Sequence, residues 1–288
     1  MHENVNFDRI RRFSADIRIE TIKAMAEAGY GHIGGAMSIA DVLAVLYDSI
    51  MNVDPSNPML PNRDYLVLSK GHSGPALYAA LALKGYFPLV EMKTLNKPHT
   101  ILPSHCDRLK TPGIDMTTGS LGQGISTALG IALGNRFNGL NNYTYCILGD
   151  GELQEGQIWE GVQCAAHQKV DHLVVFVDYN KRQLDGPVET ICASLDIVKK
   201  FEAFGFDAAM VKGYDVEEIY YSIKEAKEVT GKPSVIVLDT FKGLGCLAAE
   251  KLSFNHYMVF NQTIADEAIA EIERRLLEGT FPKGDVTW

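Results

Sequence analysis

The segment that decides the fold covers residues 143–180, YTYCILGDGELQEGQIWEGVQCAAHQKVDHLVVFVDYN. Its first part, residues 143–148, is a β-branched and aromatic run that predicts a buried strand. Residues 155–169 have the pattern of a helix, and the apolar run at residues 172–177 predicts a second buried strand. The order strand, helix, strand is typical of a unit whose two strands are parallel.

Polar side chains follow both of these strands. Asp150 comes after the first strand and Asn180 after the second. If the strands are parallel, both oxygens emerge at the edge where open α/β sheets bind ligands. A carboxylate and an amide oxygen suit a hard cation such as Mg²⁺, which also takes phosphate oxygens as ligands. Gly149 and Gly151 are expected to allow a tight turn and a close approach to a phosphate. A Gly-Asp-Gly string alone more often forms a simple turn, and the strand context favours the metal site.

The alternation of strands and helices continues along the chain. Further strands are expected at residues 65–68, 206–211 and 234–239. Helices are expected over the following segments: 7–28, 38–51, 74–84, a small-residue run opened by 117–124, 195–204, 215–229 and 264–279. Residues 38–41 resemble a helix capping box. This order predicts one α/β domain over residues 1–288, doubly wound, with a mainly parallel sheet and helices on both faces.

Composition limits the class of protein. The 288 residues are 46% hydrophobic, and the net charge is −9 (27 − 36), which argues against a general nucleic-acid binder. No apolar run is expected to span a bilayer, and the first residues do not have the order of a signal peptide. Five cysteines without a C-x-x-C motif predict reduced thiols, with Cys146 and Cys164 in the core. The cytoplasm is therefore the expected compartment.

Two histidines lie in loops that carry glycine. His32 is part of a literal G-x-G-x-x-G at residues 29–34. This string follows a helix, whereas the dinucleotide fingerprint must follow a strand, so the dinucleotide interpretation is rejected. His72 follows the strand at residues 65–68 and precedes a helix, so it is either a functional residue or a cap of that helix. Taken singly, each is more often an ordinary loop histidine than a functional one.

Taken together, these segments resemble the transketolase family, and most closely its split form, in which the N-terminal third is a separate subunit. The motifs that carry the resemblance follow in the family's order: residues 31–35 (GHIGG), 69–72 (SKGH), 117–124 (TTGSLGQG), 149–156 (GDGELQEG) with Asn180, and 242–245 (KGLG). The resemblance covers nearly the whole chain. It implies the diphosphate-binding domain of the thiamine-diphosphate fold.

The resemblance implies thiamine diphosphate as the cofactor, bound through Mg²⁺ or another divalent cation. The metal ligands would be the Asp150 carboxylate, the Asn180 side-chain oxygen and the backbone carbonyl of Arg182. The cofactor itself would be contacted by the following residues: His72, Gly119, Leu121, Gly149, Gly151, Glu155, Glu160 and Lys242. Of these, Gly151 would offer its N–H to the diphosphate, and Gly119 and Leu121 would meet the aminopyrimidine through backbone groups.

The catalytic residues implied are His32, His105 and His256, which match family histidines that line the substrate channel. A histidine suits proton movement there because its ordinary pKa lies near the working pH. Glu155 and Glu160 match family carboxylates that are buried near the metal and the subunit contact, and we expect them to couple two cofactor sites. The string at residues 255–258 (NHYM) departs from the Trp-His-Gly pattern that usually surrounds the last of these histidines.

The activity implied is transfer of a two-carbon ketol unit from a ketose or its phosphate to an aldose acceptor. In full-length relatives a pyrimidine-binding domain completes the site, and no such domain is recognised in this sequence. It is expected on a partner chain, the C-terminal transketolase-type subunit, with two copies of each chain in a heterotetramer. Sugars or sugar phosphates are the expected substrates, with no nucleic acid and no membrane as partners.

Two alternatives remain open. The first is the α subunit of a 2-oxo-acid dehydrogenase-type enzyme, which also divides its site between chains. That group typically has a second Asn beside the metal Asn, where this chain has Lys181, and it lacks the string at residues 117–124. The second is a non-catalytic scaffold subunit that keeps the fold alone. The presence of Asp150, Asn180 and both loop histidines favours a catalytic subunit.

Overall fold

A computed structural model describes residues 5–283. The helices and strands follow in this order along the chain: α1 (Phe7–Ala28), β1 (Tyr30–Gly31), α2 (Ile33–Met37), α3 (Ala40–Val45), β2 (Tyr65–Leu68), α4 (Gly74–Lys84), α5 (Gly124–Phe137), β3 (Thr144–Gly149), α6 (Gly156–His167), β4 (Leu173–Tyr179), α7 (Val188–Cys192), α8 (Ile197–Ala203), β5 (Asp207–Lys212), α9 (Val216–Glu228), β6 (Ser234–Asp239), α10 (Leu247–Glu250), β7 (Met258–Val259) and α11 (Gln262–Glu278). Tighter 3₁₀ turns occupy Gly71–Ser73, Leu89–Thr94 and Gly151–Gln154, and a π-helical turn at Leu46–Ile50 extends α3.

The main sheet has five strands in the order β2-β3-β4-β6-β5, and every neighbouring pair is parallel. The predicted doubly wound α/β fold is therefore confirmed. A second sheet, which the sequence did not predict, pairs β1 with β7 in antiparallel register, with Tyr30 opposite Val259. It joins the start of the chain to its last third.

Helices cover both faces of the main sheet, and side chains of β3 alternate between them. Tyr145 and Ile147 pack into a core with α1, α3, α4, α9 and α11. Cys146 and Leu148 point the other way, into a second core with α5, α6 and α8. Full burial on both faces explains why this strand is almost wholly apolar, as is usual for a central parallel strand.

The bounds of α1, α4 and β6 agree with the sequence prediction, and two local expectations were wrong. No side chain caps α3, whose N-cap residue is Ile39. The Ser38 hydroxyl is instead engaged with Asp178, at 2.8 Å. Cys164 is exposed on α6, whereas Cys146 is buried as expected. In both cases tertiary packing, and not the local sequence pattern, determines the partner or the exposure of the side chain.

One segment differs from the expectation that no apolar run is long enough to cross a bilayer. The stretch Ile33–Ile50 has 18 residues and a mean hydropathy of 1.5, which meets the length and composition of a membrane span. However, 83% of it is buried inside the folded chain. A helix that is apolar nearly all round and covered on all sides is typical of a protein core.

A buried ion pair fixes the first helix against the loop after β6. Arg18 and Asp41 form a salt bridge of 2.6 Å, with side-chain exposures of 0% and 1%. The Arg18 Nε atom also donates to the carbonyl of Leu244, at 3.0 Å. This pair connects α1, α3 and the loop that begins at Lys242, because each supplies one of the bonded groups.

Candidate active site

Four of the five parallel strands end at one cavity of about 370 Å³. The strand β3 is followed by Asp150, β4 by Asn180, β6 by Lys242 and β2 by His72. The carboxyl ends of the strands therefore bring these residues to one edge of the sheet, as expected for an open α/β fold. Every residue that the sequence predicted for the site lines this cavity except Glu160.

Asp150 is buried at the floor of the cavity and accepts two backbone hydrogen bonds. Its Oδ1 atom accepts from the N–H of Gly151 at 2.8 Å, and its Oδ2 atom accepts from the N–H of Lys181 at 2.6 Å. Lys181 has a φ of +68°, a left-handed conformation that is uncommon outside glycine. Burial and the nearby Asp178 raise the pKa of Asp150 to about 7. A bound cation would stabilise the ionised carboxylate.

Asn180 and Arg182 place two more oxygens beside this carboxylate. The Asn180 amide donates to Asp178 Oδ2 at 2.7 Å, and its Oδ1 accepts from the N–H of Arg182 at 3.2 Å. The Arg182 carbonyl accepts from the Lys242 ammonium at 3.1 Å. A carboxylate, an amide oxygen and a carbonyl are all hard donors, so this set fits Mg²⁺ held together with phosphate oxygens.

The metal ligands expected here do not form a cluster of titratable side chains. Within residues 5–283 no group of three or more His, Cys, Asp or Glu side chains could hold a metal ion. The expected ligand set has one carboxylate only and is completed by neutral oxygens. Mg²⁺ commonly binds through one or two carboxylates plus substrate phosphates, so the limited protein donor set fits a cation that arrives with a diphosphate.

A buried ion pair that the sequence did not predict supports this floor. Lys70 and Asp178 form a salt bridge with side-chain exposures of 2% and 0%. The Lys70 ammonium also donates to the carbonyl of Gly35 at 2.9 Å, and Ser38 donates to the same carboxylate. Both residues are visible in the sequence, but nothing in it pairs positions that lie 108 residues apart.

Lys242 connects the metal side of the cavity to the histidine side. Its Nζ atom lies 3.0 Å from Nδ1 of His256. Burial, together with the charge of Lys70, lowers the pKa of Lys242 to about 8, so the side chain remains an ammonium at pH 7. An ammonium can only donate, so Nδ1 of His256 accepts and the ring proton resides on Nε2. This arrangement leaves His256 a donor for a bound hydroxyl.

The predicted histidines form one cluster at the cavity. The ring centroid of His32 lies 5.3 Å from that of His256, 5.8 Å from that of His105 and 5.7 Å from that of His72. Burial lowers the pKa of all four, to about 3 for His256. Each ring is therefore neutral at pH 7 and presents one donor and one acceptor, which suits binding sugar hydroxyls and moving their protons.

Gly149 and Gly151 were expected to allow a tight turn and a close approach to a phosphate. Neither Gly149 nor Gly151 has a left-handed backbone, so no tight turn requires glycine there. A Cβ at Gly151 would lie 2.8 Å from the Gln183 side chain, so space is the constraint at this position. The N–H of Gly151, expected to face the diphosphate, bonds Asp150 in this structure. At Gly119, φ is +145° and a Cβ would lie 2.9 Å from the His105 ring.

The two glutamates that were expected to be buried are exposed. Glu155 lies at the mouth of the cavity, and Glu160 lies outside it on α6. Their burial was expected at a contact between subunits, and the structure contains a single chain. The buried glutamate of the motif is Glu152, which the sequence analysis did not single out.

His72 does not cap α4, whose N-cap residue is Ser73 without a side-chain cap.

The loops that carry His32, Lys242 and His256 are bonded to one another. The N–H of Gly34 donates to the Asn255 carbonyl at 3.0 Å, and the N–H of Gly243 donates to the Gly34 carbonyl at 2.9 Å. The Asn255 side chain donates to the Lys242 carbonyl at 2.7 Å. Asn255, part of the unusual string at residues 255–258, is therefore a structural residue that holds two of these loops together.

Replacing Gly34 by alanine is expected to lower the rate of the implied reaction roughly tenfold or more, because small displacements of catalytic groups have large effects on rate. A Cβ at this position would lie 2.4 Å from the Asn255 carbonyl oxygen, which cannot move without shifting His256. The measurement is the activity of this chain combined with the partner chain that the resemblance implies. The matched control is Gly134→Ala on α5, where a Cβ meets nothing within 4 Å. Equal activity of the two variants would contradict the expected displacement.

Comparison with known proteins agrees with this geometry. Residues 10–277 match the family model "Transketolase, thiamine diphosphate binding domain". The 6-deoxy-6-sulfo-D-fructose transketolase subunit SqwG of Clostridium sp. (strain MSTE9) is 49% identical over 258 residues, 90% of this chain and 94% of the relative. An apulose-4-phosphate transketolase subunit of Actinobacillus succinogenes is 34% identical over 272 residues, 94% of this chain and 98% of the relative.

Solved structures show the same relationship. The transketolase of Leishmania mexicana superposes with a TM-score of 0.86 at 30% identity, over 96% of this chain. Only 42% of the Leishmania chain is covered, so this chain corresponds to less than half of that protein. The family model, the two relatives of similar length and the shared fold lead to one conclusion: the chain belongs to the transketolase family and contains its thiamine diphosphate binding domain.

Proposed function

We propose that this chain is the N-terminal subunit of a split transketolase, which transfers a two-carbon ketol unit from a ketose to an aldose. One observation carries the proposal. The cavity joins three hard oxygen donors, from Asp150, Asn180 and Arg182, to a cluster of four neutral histidines. The first half fits a divalent cation with a diphosphate, and the second half fits the hydroxyl groups of a sugar.

Each half has a separate task. The three oxygen donors would hold a divalent cation, which would help to bind the diphosphate of thiamine diphosphate. Lys242 and His72 line the same cavity and supply donors to the diphosphate. Bound thiamine diphosphate would supply an electron sink for the carbanion left when the ketose C–C bond breaks. The rings of His32, His105 and His256 orient the hydroxyls of donor and acceptor and transfer their protons.

A partner chain completes the site in this proposal. Leu121 and Leu184 line the cavity and are 36% and 50% exposed, and Glu155 is exposed beside them. A pyrimidine-binding domain placed here would cover these apolar side chains. The relatives of similar length are named as subunits, which supports the same arrangement. We propose two copies of each chain, assembled in the cytoplasm, where the five free cysteines would stay reduced.

For the substrate, we propose a ketose whose terminal carbon carries an anionic group, with 6-deoxy-6-sulfo-D-fructose as the first candidate donor. The support is the 49% identity to the relative that is named for this sugar, against 34% for the relative named for apulose 4-phosphate. Sulfonate and phosphate are both compact anions. A competition assay with 6-deoxy-6-sulfo-D-fructose, apulose 4-phosphate and fructose 6-phosphate will rank the three as ketol donors.

The test is reconstitution of the chain with a partner that carries the pyrimidine-binding domain, for which the chain encoded beside it is the first choice. We expect ketol transfer to an aldehyde acceptor only when both chains, thiamine diphosphate and Mg²⁺ are present. Each chain alone serves as the control. Oxidative decarboxylation of 2-oxo acids without ketol transfer would contradict the proposal in favour of the dehydrogenase alternative. Cofactor binding without turnover of any substrate would favour the scaffold alternative.

A further inference from the structure

Glu152 is a buried carboxylate that the chemistry proposed above does not use. Its residue exposure is 2%, and it lies in the 3₁₀ turn directly after Asp150. Its Oε1 atom accepts from the Ser69 hydroxyl and from the N–H of Gly122, the latter at 2.9 Å. Its Oε2 atom accepts from the N–H of Gly149 at 3.0 Å. One carboxylate in the wall of the cavity thus binds three donors.

The three donors belong to three different parts of the cofactor site. Ser69 follows β2 and precedes Lys70 and His72. Gly122 lies in the loop before α5 that also contains Leu121. Gly149 ends β3 and precedes Asp150. The first two donors lie 83 and 30 residues away from Glu152 in sequence. The segments of Ser69 and Gly149 follow two paired strands, β2 and β3, and the carboxylate ties the loop of Gly122 to them.

The bonding geometry suits an ionised acid in particular. The Ser69 hydroxyl and the N–H groups of Gly122 and Gly149 all donate to it. An ionised carboxylate accepts at both oxygens, so it can serve two backbone N–H groups that point at it from different loops. Gly122 has a φ of +86°, a conformation that directs its N–H toward Oε1 and that few other residues adopt.

We propose that Glu152 is a positioning residue for thiamine diphosphate, which holds the loop that would contact the aminopyrimidine at a fixed distance from the metal and diphosphate loop. This inference rests on the proposed function of the cavity. Glu152 itself touches neither the cofactor nor the substrate in this account. Its loss weakens cofactor binding and leaves the histidines that move protons in place.

The test is Glu152→Gln in the complex with the partner chain. An amide has the same size, but its oxygen can serve only one of the two backbone N–H groups, and its NH₂ group opposes the other. We expect the dissociation constant of thiamine diphosphate, titrated calorimetrically in the presence of Mg²⁺, to rise roughly 10-fold to 100-fold, as for other supporting residues of a metal site. Turnover at saturating cofactor should change by less than about threefold, because the reacting groups keep their places.

The matched control is Asp64→Asn, at the opposite end of the sheet. Asp64 is 3% exposed, and its carboxylate also accepts two backbone N–H groups, from Asn52 at 2.9 Å and from Tyr143 at 2.7 Å. It precedes β2, so the same chemical change occurs there away from the cavity. We expect a comparable loss of thermal stability, and an unchanged dissociation constant for thiamine diphosphate.

A rise in the dissociation constant for Glu152→Gln alone, with turnover at saturation retained, supports the inference. An unchanged dissociation constant, an equal rise in the Asp64→Asn control, or a loss of turnover without weaker binding overturns it. If Glu152→Gln does not fold, Ser69→Ala removes one of the three donors and should raise the dissociation constant by a smaller factor, and no rise then overturns the inference. If the wild-type complex binds no thiamine diphosphate, the proposed function fails independently of Glu152.

Discussion

Replacement of Asp150 by alanine is expected to weaken the binding of thiamine diphosphate by roughly a thousandfold, or about 4 kcal/mol. Asp150 provides the only carboxylate among the three proposed metal ligands, and without it the cation would meet neutral oxygens alone. The expected loss is therefore larger than for any supporting residue. The measurement is calorimetric titration of the two-chain complex with thiamine diphosphate in the presence of Mg²⁺.

Two variants serve as controls for this prediction. Asp150→Asn keeps the volume and one oxygen donor, so it should retain more affinity than Asp150→Ala. Asp185→Ala removes an exposed carboxylate from the nearby loop after β4, and it should bind the cofactor with wild-type affinity. If Asp150→Ala bound thiamine diphosphate as tightly as Asp185→Ala, the metal assignment would be wrong.

Replacement of Asp178 by alanine is expected to lower the free energy of unfolding by about 3 to 5 kcal/mol, because it leaves the buried Lys70 ammonium without its carboxylate. The Asn180 amide loses its acceptor in the same variant, so the proposed metal ligand is no longer held in one orientation. We therefore also expect cofactor affinity to fall about 10-fold to 100-fold. Urea unfolding of the chain and calorimetry of the complex measure the two effects separately.

Another buried ion pair, that of Arg18 with Asp41, provides the control for Asp178. Asp41→Ala leaves the Arg18 guanidinium without a carboxylate, in a pair as buried as that of Lys70. The loss of unfolding free energy should be similar, while cofactor affinity should stay near that of the wild type, because Arg18 and Asp41 bond none of the proposed metal ligands. A loss of affinity in Asp41→Ala as large as in Asp178→Ala would show that stability alone explains the effect.

Local pattern was enough to predict the parallel sheet and the position of Asp150 and Asn180 at its edge. A strand in a parallel sheet is marked by a short apolar run, and the residue after it necessarily lies at the carboxyl edge. The pairing of β1 with β7 was missed because each strand has only two residues and the two are distant in sequence. A two-residue strand is too short to show an alternation of apolar and polar residues. It forms only through tertiary contacts.

In the candidate site, too, local sequence pattern predicted some residues and missed those that depend on tertiary contacts. The predicted histidines and metal ligands gather in one cavity because each follows a strand or lies in a recognisable motif. The polar groups beneath them were missed, namely Glu152 and the pair of Lys70 with Asp178. Their function depends on which distant group each one meets, and a single sequence does not contain that information. Glu155 and Glu160 were expected to be buried near a subunit contact, and both are exposed in the single chain.

We propose that a divalent cation binds between Asp150, Asn180 and the carbonyl of Arg182. The most direct measurement is a crystal structure of the two-chain complex grown with thiamine diphosphate and Mn²⁺, with data collected at the manganese absorption edge. We expect one anomalous peak per chain, about 2.0 to 2.3 Å from these three oxygens and from the diphosphate. A peak bound elsewhere, or cofactor present in the cavity without any peak at these oxygens, would contradict it.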